Sequence, residues 1–164
     1  MADEDTQMRY AAIATLTDQT LLAKIAMEDK IRGIRVEAIE KLTDQTLLAK
    51  IAMEDKDSWL REIAFNQLTN QTLLAKIVIQ EEVPSAEGMM GRQMKEAAEK
   101  RIARAIENVT DQALLAEIAI SAKDNKACMA AVKKVTNKAL LTKISEEAKS
   151  GTIRTLASSA LKKN

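Results

Sequence analysis

The chain has 164 residues, a net charge of +1, no histidine, one cysteine and one each of Phe, Tyr and Trp. Lack of histidine removes the commonest general base and metal ligand together, and the single thiol, Cys128, can neither close an internal disulfide nor hold a structural zinc or an iron–sulfur cluster. The apolar residues are mainly Leu, Ile and Ala, which suits closely packed helices rather than strands.

The chain starts MADEDTQMRY, acidic where a secretory leader is basic, and no apolar run approaches membrane-spanning length. A reducing, cytoplasmic setting is expected. A leading helix is predicted before Leu16. From there LTDQTLLAKIAMEDK runs to Lys30 and recurs unchanged from Leu42 to Lys56. It returns as LTNQTLLAKIVIQEE from Leu68, VTDQALLAEIAISAK from Val109 and VTNKALLTKISEEAK from Val135. Successive offsets are 26, 26, 41 and 26 residues, three regular steps and one step carrying a fifteen-residue insertion. Such a period marks units that must stack to bury their apolar faces. One domain over 1–164 is expected, with repeats near 16–41, 42–67, 68–108, 109–134 and 135–163 and the insertion at 83–97.

In the unit from Leu42 to Gln67, Thr43 is the predicted N-cap, Asp44 puts negative charge in the first turn, and Leu42 can staple onto Leu47 across the cap. Leu47, Leu48, Ile51 and Ala52 form one apolar face. The polar break Glu54-Asp55-Lys56-Asp57 then leads to a second helix, Ser58 to Gln67, with Leu60, Ala64, Phe65 and Leu68 inward. Counted back from the staple residue, position −4 is Ala12, Ala38, Ala64, Ala105, Ala131 and Ala157, a small residue in each copy that implies close helix approach. Position −3 is Ile, Phe or Val until Ser158 in the last copy. Position −7 is Arg9, Arg35, Arg61 and Arg154, with Ile102 and Cys128 as exceptions. We read it as a partial arginine ladder bridging units to acidic turn residues such as Asp29, Asp44 and Asp55.

The insertion, VPSAEGMMGRQM from Val83 to Met94, holds the only proline and two of the four glycines. A loop is predicted there, with helix resuming near Gln93 and continuing to Asn108. Charge is uneven along the chain: residues 1–60 carry −4, 61–120 carry −2 and 121–164 carry +7. Eleven helices are expected in all.

A short Leu- and Ala-rich helix, an Asp-bearing turn and a second helix carrying Asp55, Asp57, Trp59, Leu60, Arg61, Ala64 and Leu68 resemble bacterial HEAT-like repeat proteins. The resemblance covers Thr6 to Lys163 apart from the insertion, although the 26-residue period is short for a HEAT unit and approaches that of leucine-rich variant repeats. It implies an all-α, right-handed α-solenoid of stacked helical hairpins. HEAT-like families include scaffolds, adaptors, DNA-binding glycosylases, chromophore lyases and an iron-dependent hydroxylase. The hydroxylase's His-Glu metal pairs have no counterpart here, nor has the cysteine cluster of some variant-repeat proteins.

No Gly-rich phosphate loop, nucleophile motif or acid/base constellation is present, so no catalysis, cofactor or metal is expected. Positions −9, −5 and −2 of the second helices are spaced to form one stripe, and they vary between copies. On this basis a protein- or peptide-binding surface is expected at Glu37, Trp59, Ile63, Asn66 and Arg104, with the insertion's Met89, Met90 and Met94 as adaptable apolar contacts. Trp59, the only tryptophan, is the best single anchor; the alternative is that it packs against a neighbouring helix. Two other functions compete. One is nucleic-acid binding through Lys126, Lys133, Lys134, Lys138 and Arg154, against which stands the absence of an aromatic stacking platform beside them. The other is self-association, through a leading helix with Met8 and Tyr10 uncovered and oppositely charged ends.

Overall fold

The computed structural model describes residues 4–163; Ala2 and Asp3 of the acidic start lie outside them. The described residues form eleven α-helices and no strand. They are α1 (Glu4–Thr15), α2 (Gln19–Glu28), α3 (Arg32–Glu40), α4 (Gln45–Glu54), α5 (Ser58–Asn66), α6 (Gln71–Gln80), α7 (Gly88–Asn108), α8 (Gln112–Ser121), α9 (Asn125–Lys134), α10 (Lys138–Glu147) and α11 (Gly151–Lys163). Two compact units divide between Thr69 and Asn70. In the first, α2 packs on α3, α4 on α5, α3 on α1 and α5, and α2 on α4. In the second, α6, α8 and α10 pack on α7, α9 and α11 respectively, α8 on α6 and α10, and α9 on α7 and α11. In both units, therefore, first helices of successive hairpins touch one another, as do second helices. No helix among the described residues is long and apolar enough to cross a membrane.

The N-cap of each first helix lies one residue after the threonine predicted to cap it. Asp18, Asp44, Asn70, Asp111 and Asn137 are the N-caps, their side-chain oxygens accepting backbone N–H bonds from the first turn; Asp44 accepts from Thr46 at 2.8 Å and from Leu47 at 3.1 Å. The Asx oxygen, carried one bond farther from the backbone than a threonine hydroxyl, accepts from the N–H groups at N2 and N3. The threonine is free for another task. The backbone N–H of Thr43 donates to the Gln19 carboxamide oxygen at 2.7 Å and its hydroxyl at 3.2 Å, while Gln19 Nε2 donates to the Lys41 carbonyl. Gln45 makes the same clamp on Thr69 and Gln67, as does Gln112 on Thr136 and Lys134, and Gln71 binds Thr110 likewise. One glutamine at the first helical position thus satisfies the loop of the following hairpin. Gln45→Ala removes the partners of the exposed Thr69 N–H and of the part-buried Gln67 carbonyl, and a loss of about 0.5–1.5 kcal/mol is expected; a shift in urea midpoint at unchanged slope measures it.

The first helices end without glycine. Asp29 and Asp55 sit at the C-caps in extended conformation, and each turns the chain by accepting the N–H two residues on, Ile31 and Asp57, at 2.8 Å. Their second oxygens take the ladder arginines: Arg9 reaches Asp29 at 3.1 Å, and Arg35 pairs with Asp55. Arg61 instead donates to the Asp55 carbonyl at 2.7 Å, and Arg154 donates to the Ala148 carbonyl at 3.4 Å. Asp44, named as a ladder partner, is occupied by its cap. In α7 the ladder moves by one residue, since Arg101, not Ile102, pairs with Glu81 at the C-cap of α6.

The core follows the repeat register. Leu60, Ala64, Phe65 and Leu68 are all buried, as are Leu48, Ile51 and Ala52. The −4 alanines from Ala38 onward are fully buried, leaving no room for a larger side chain. Ala49 is buried too and Leu47 only partly, so the apolar face of the first helix turns slightly from its predicted direction.

Candidate functional site

In the first unit the polar break that ends α4 also builds the Trp59 surface. Asp57 caps α5, accepting the Trp59 N–H at 2.9 Å, and its carboxylate holds the Arg32 guanidinium through Nε at 2.8 Å and Nη2 at 3.0 Å. Two parallel bonds fix the plane of that guanidinium. Arg32 consequently lies over the Trp59 ring, 4.8 Å from its centroid, in a cation–π contact of about 0.5–1 kcal/mol at an exposed site. Trp59 does not pack into the core: 51% of its surface is exposed. Ile63, one turn along α5, is half-buried, and Glu37 of α3 and Asn66 of α5 are exposed. Beside them, Tyr10 of α1 reaches over α3, where a β-carbon on Gly33 would stand 2.1 Å from its hydroxyl oxygen. Glycine at 33 is what lets this ring lie down.

The stripe thus supplied Trp59 and Ile63, but not the pair that orients the tryptophan. Arg32 stands at −10, outside the stripe, and Asp57 read as turn. A signal was present: Arg32 and Trp59 are 27 residues apart, one period plus one, which sets them side by side on stacked second helices.

In the second unit α7 begins at Gly88, five residues before the predicted resumption of helix. Gly88 takes φ +69°, a conformation that glycine adopts without the usual steric cost, and a β-carbon on Gly91 would meet the Ser85 carbonyl oxygen at 3.0 Å. These two glycines allow the chain to turn tightly into helix, so only residues 81–87 form the connection. Met89, Met90 and Met94 therefore stand on the first turns of α7, exposed by 73%, 75% and 49%, and none is folded onto the core. Arg104 lies farther along α7 and is half-buried.

The basic residues of the second unit divide by role. Lys134 Nζ donates to the carbonyls of Ile106, Glu107 and Val109 at 2.6, 2.9 and 2.8 Å, closing the C-terminus of α7 as Lys41 closes that of α1. Lys126 pairs with Glu99 at 2.8 Å; that hydrogen bond raises the lysine pKa and lowers the glutamate's. Lys133, Lys138 and Arg154 are exposed. Three of the five proposed nucleic-acid ligands, Lys126, Lys134 and Arg154, are thus engaged by the protein's own acceptors. Cys128 is buried and its thiol pKa is raised by desolvation, which disfavours the reactive thiolate. Among the described residues, no three His, Cys, Asp or Glu side chains gather as metal ligands.

No family model, curated protein or solved structure matches the chain.

Proposed function

We propose that the chain is a non-catalytic, cytoplasmic scaffold that binds a protein or peptide, and that its hairpins are units of a right-handed HEAT-like α-solenoid. Contact between first helices of successive hairpins, and likewise between second helices, supports the solenoid reading. The observation that carries the function is the exposed, oriented Trp59. A large aromatic left half in water, with its rotamer held by an arginine that is itself held by the helix cap, loses little freedom when a partner covers it. Ile63 extends the apolar centre, and Glu37 and Asn66 give it a polar rim. In the second unit Met89, Met90 and Met94 offer a flexible apolar contact of the kind that accepts varied partners.

Affinity capture from cell lysate tests this reading, with wild type beside Trp59→Ala and a triple Met89→Ser, Met90→Ser, Met94→Ser variant. All substituted side chains are exposed, so helical signal and melting should be unchanged. One specific protein retained by wild type and lost from Trp59→Ala is the expected result. Equal profiles for all three, or recovery of nucleic acid in a salt-sensitive complex, would discard it.

A further inference from the structure

The surface around Trp59 carries a charge that bears on what can cover it. In the first unit α3 packs on both α1 and α5, so equal register positions of these three helices stand in rows. The row at −5 is Ala11, Glu37 and Ile63, and the row at −2 is Ala14, Glu40 and Asn66. Glu37 and Glu40, three residues apart, share one exposed face of α3. Every basic residue of α1, α3 and α5 is engaged within the unit. Arg9 pairs with Asp5 and Asp29, Arg32 with Asp57 and Arg35 with Asp55, while Arg61 donates to the Asp55 carbonyl. Lys41, just past α3, donates to the Ile13 carbonyl at 2.7 Å. The guanidinium over Trp59 is thus balanced by its own carboxylate. By contrast, the Glu37 and Glu40 carboxylates have no ion-pair or hydrogen-bond partner among the described residues. The surrounding field has the same sign, since residues 1–60 carry −4.

We infer that the partner of this surface is a basic peptide segment, which sets Lys or Arg against Glu37 and Glu40 and an aliphatic side chain against Trp59 and Ile63. The inference rests on the reading of Trp59 as a binding anchor and adds the chemistry of what it binds. Apolar cover of Trp59 and Ile63 supplies most of the affinity. The two carboxylates supply selection, because opposite charge speeds encounter and like charge opposed to them is penalised. An acidic segment would bring its carboxylates against two that nothing neutralises, and a nucleic acid would do the same with its phosphates.

A random-peptide display library selected on the immobilised full chain, in parallel with Trp59→Ala, tests this. Sequences that wild type enriches and Trp59→Ala does not should carry an excess of Lys and Arg beside Leu, Ile or Val. The leading sequence, made as a synthetic peptide, then titrates the chain in solution, with the emission of Trp59, the only tryptophan, as the readout. The Glu37→Gln, Glu40→Gln double variant should bind about fivefold more weakly, and added salt should weaken wild type more than this variant. Both positions are exposed, so circular dichroism should show the same helix content. If no Trp59-dependent sequence emerges, the anchor reading falls and this inference falls with it. Trp59-dependent sequences without a basic excess, or an affinity indifferent to the double variant, leave the anchor standing and overturn the basic partner. A wild-type dimer in sedimentation that Trp59→Ala dissolves overturns it too, because the face then belongs to a second copy.

Discussion

Arg101→Ala is expected to be the most damaging single change in the second unit, lowering stability by about 3–5 kcal/mol. Arg101 is the buried charged residue of the core, 5% exposed, and its guanidinium is paired with Glu81. Removing it strands a mostly covered carboxylate beside a cavity, the situation in which breaking a buried pair costs most. The pair itself is a poor bargain energetically, since its Nε has no partner among the described residues and both charges have left water. Other repeats show how to do without it. Position −8 holds Ile34 or Ile153, and the C-cap matching Glu81 is Ala122 in α8 and Ala148 in α10. The double change Arg101→Ile with Glu81→Ala should therefore restore stability to within about 1 kcal/mol of wild type, or exceed it. Urea denaturation of wild type, the single and the double variant decides the matter. If Arg101→Ala costs less than about 1 kcal/mol, water reaches Glu81 and the pair is not a buried one.

The repeat register made most of the core readable, because an apolar stacking position must recur wherever neighbouring hairpins meet. Ala38, Ala64 and Leu68 announced their burial through period alone. Polar devices were harder to see. Thr43 and Asp44 are both good caps by composition, and only the Gln19 clamp, which claims the threonine, assigns the cap to the aspartate. Gln19, Gln45, Gln71 and Gln112 recur in four of the five copies, with Lys138 in the last, so the clamp was visible as a period, but a polar residue at a helix start reads first as solvated. The insertion failed for a different reason. Glycine in MMGRQM reads as a helix breaker, whereas at Gly88 and Gly91 it permits a close turn into helix. Orientation of Trp59 depends on Arg32 from the adjacent repeat, and a stripe drawn within single helices does not show it.

Leu60→Ala should cost about 2–5 kcal/mol, while Met8→Ala at the same register position should change stability by less than about 0.5 kcal/mol. Both residues stand eight before their staple, and the sequence pattern treats them alike. Leu60 is fully buried, within the unit where α4 packs on α5, so truncation there removes transfer energy and leaves a void that neighbouring helices fill only in part. Met8 has no such cover. Its truncation loses few contacts, and alanine is the better helix former. A shared thermal or urea protocol on the two variants therefore measures what one covering helix is worth to this face. Comparable losses at the two sites would mean that something already lies over α1 in solution. A large loss at Leu60 beside none at Met8 would show that this register position stabilises the fold only where a helix covers it.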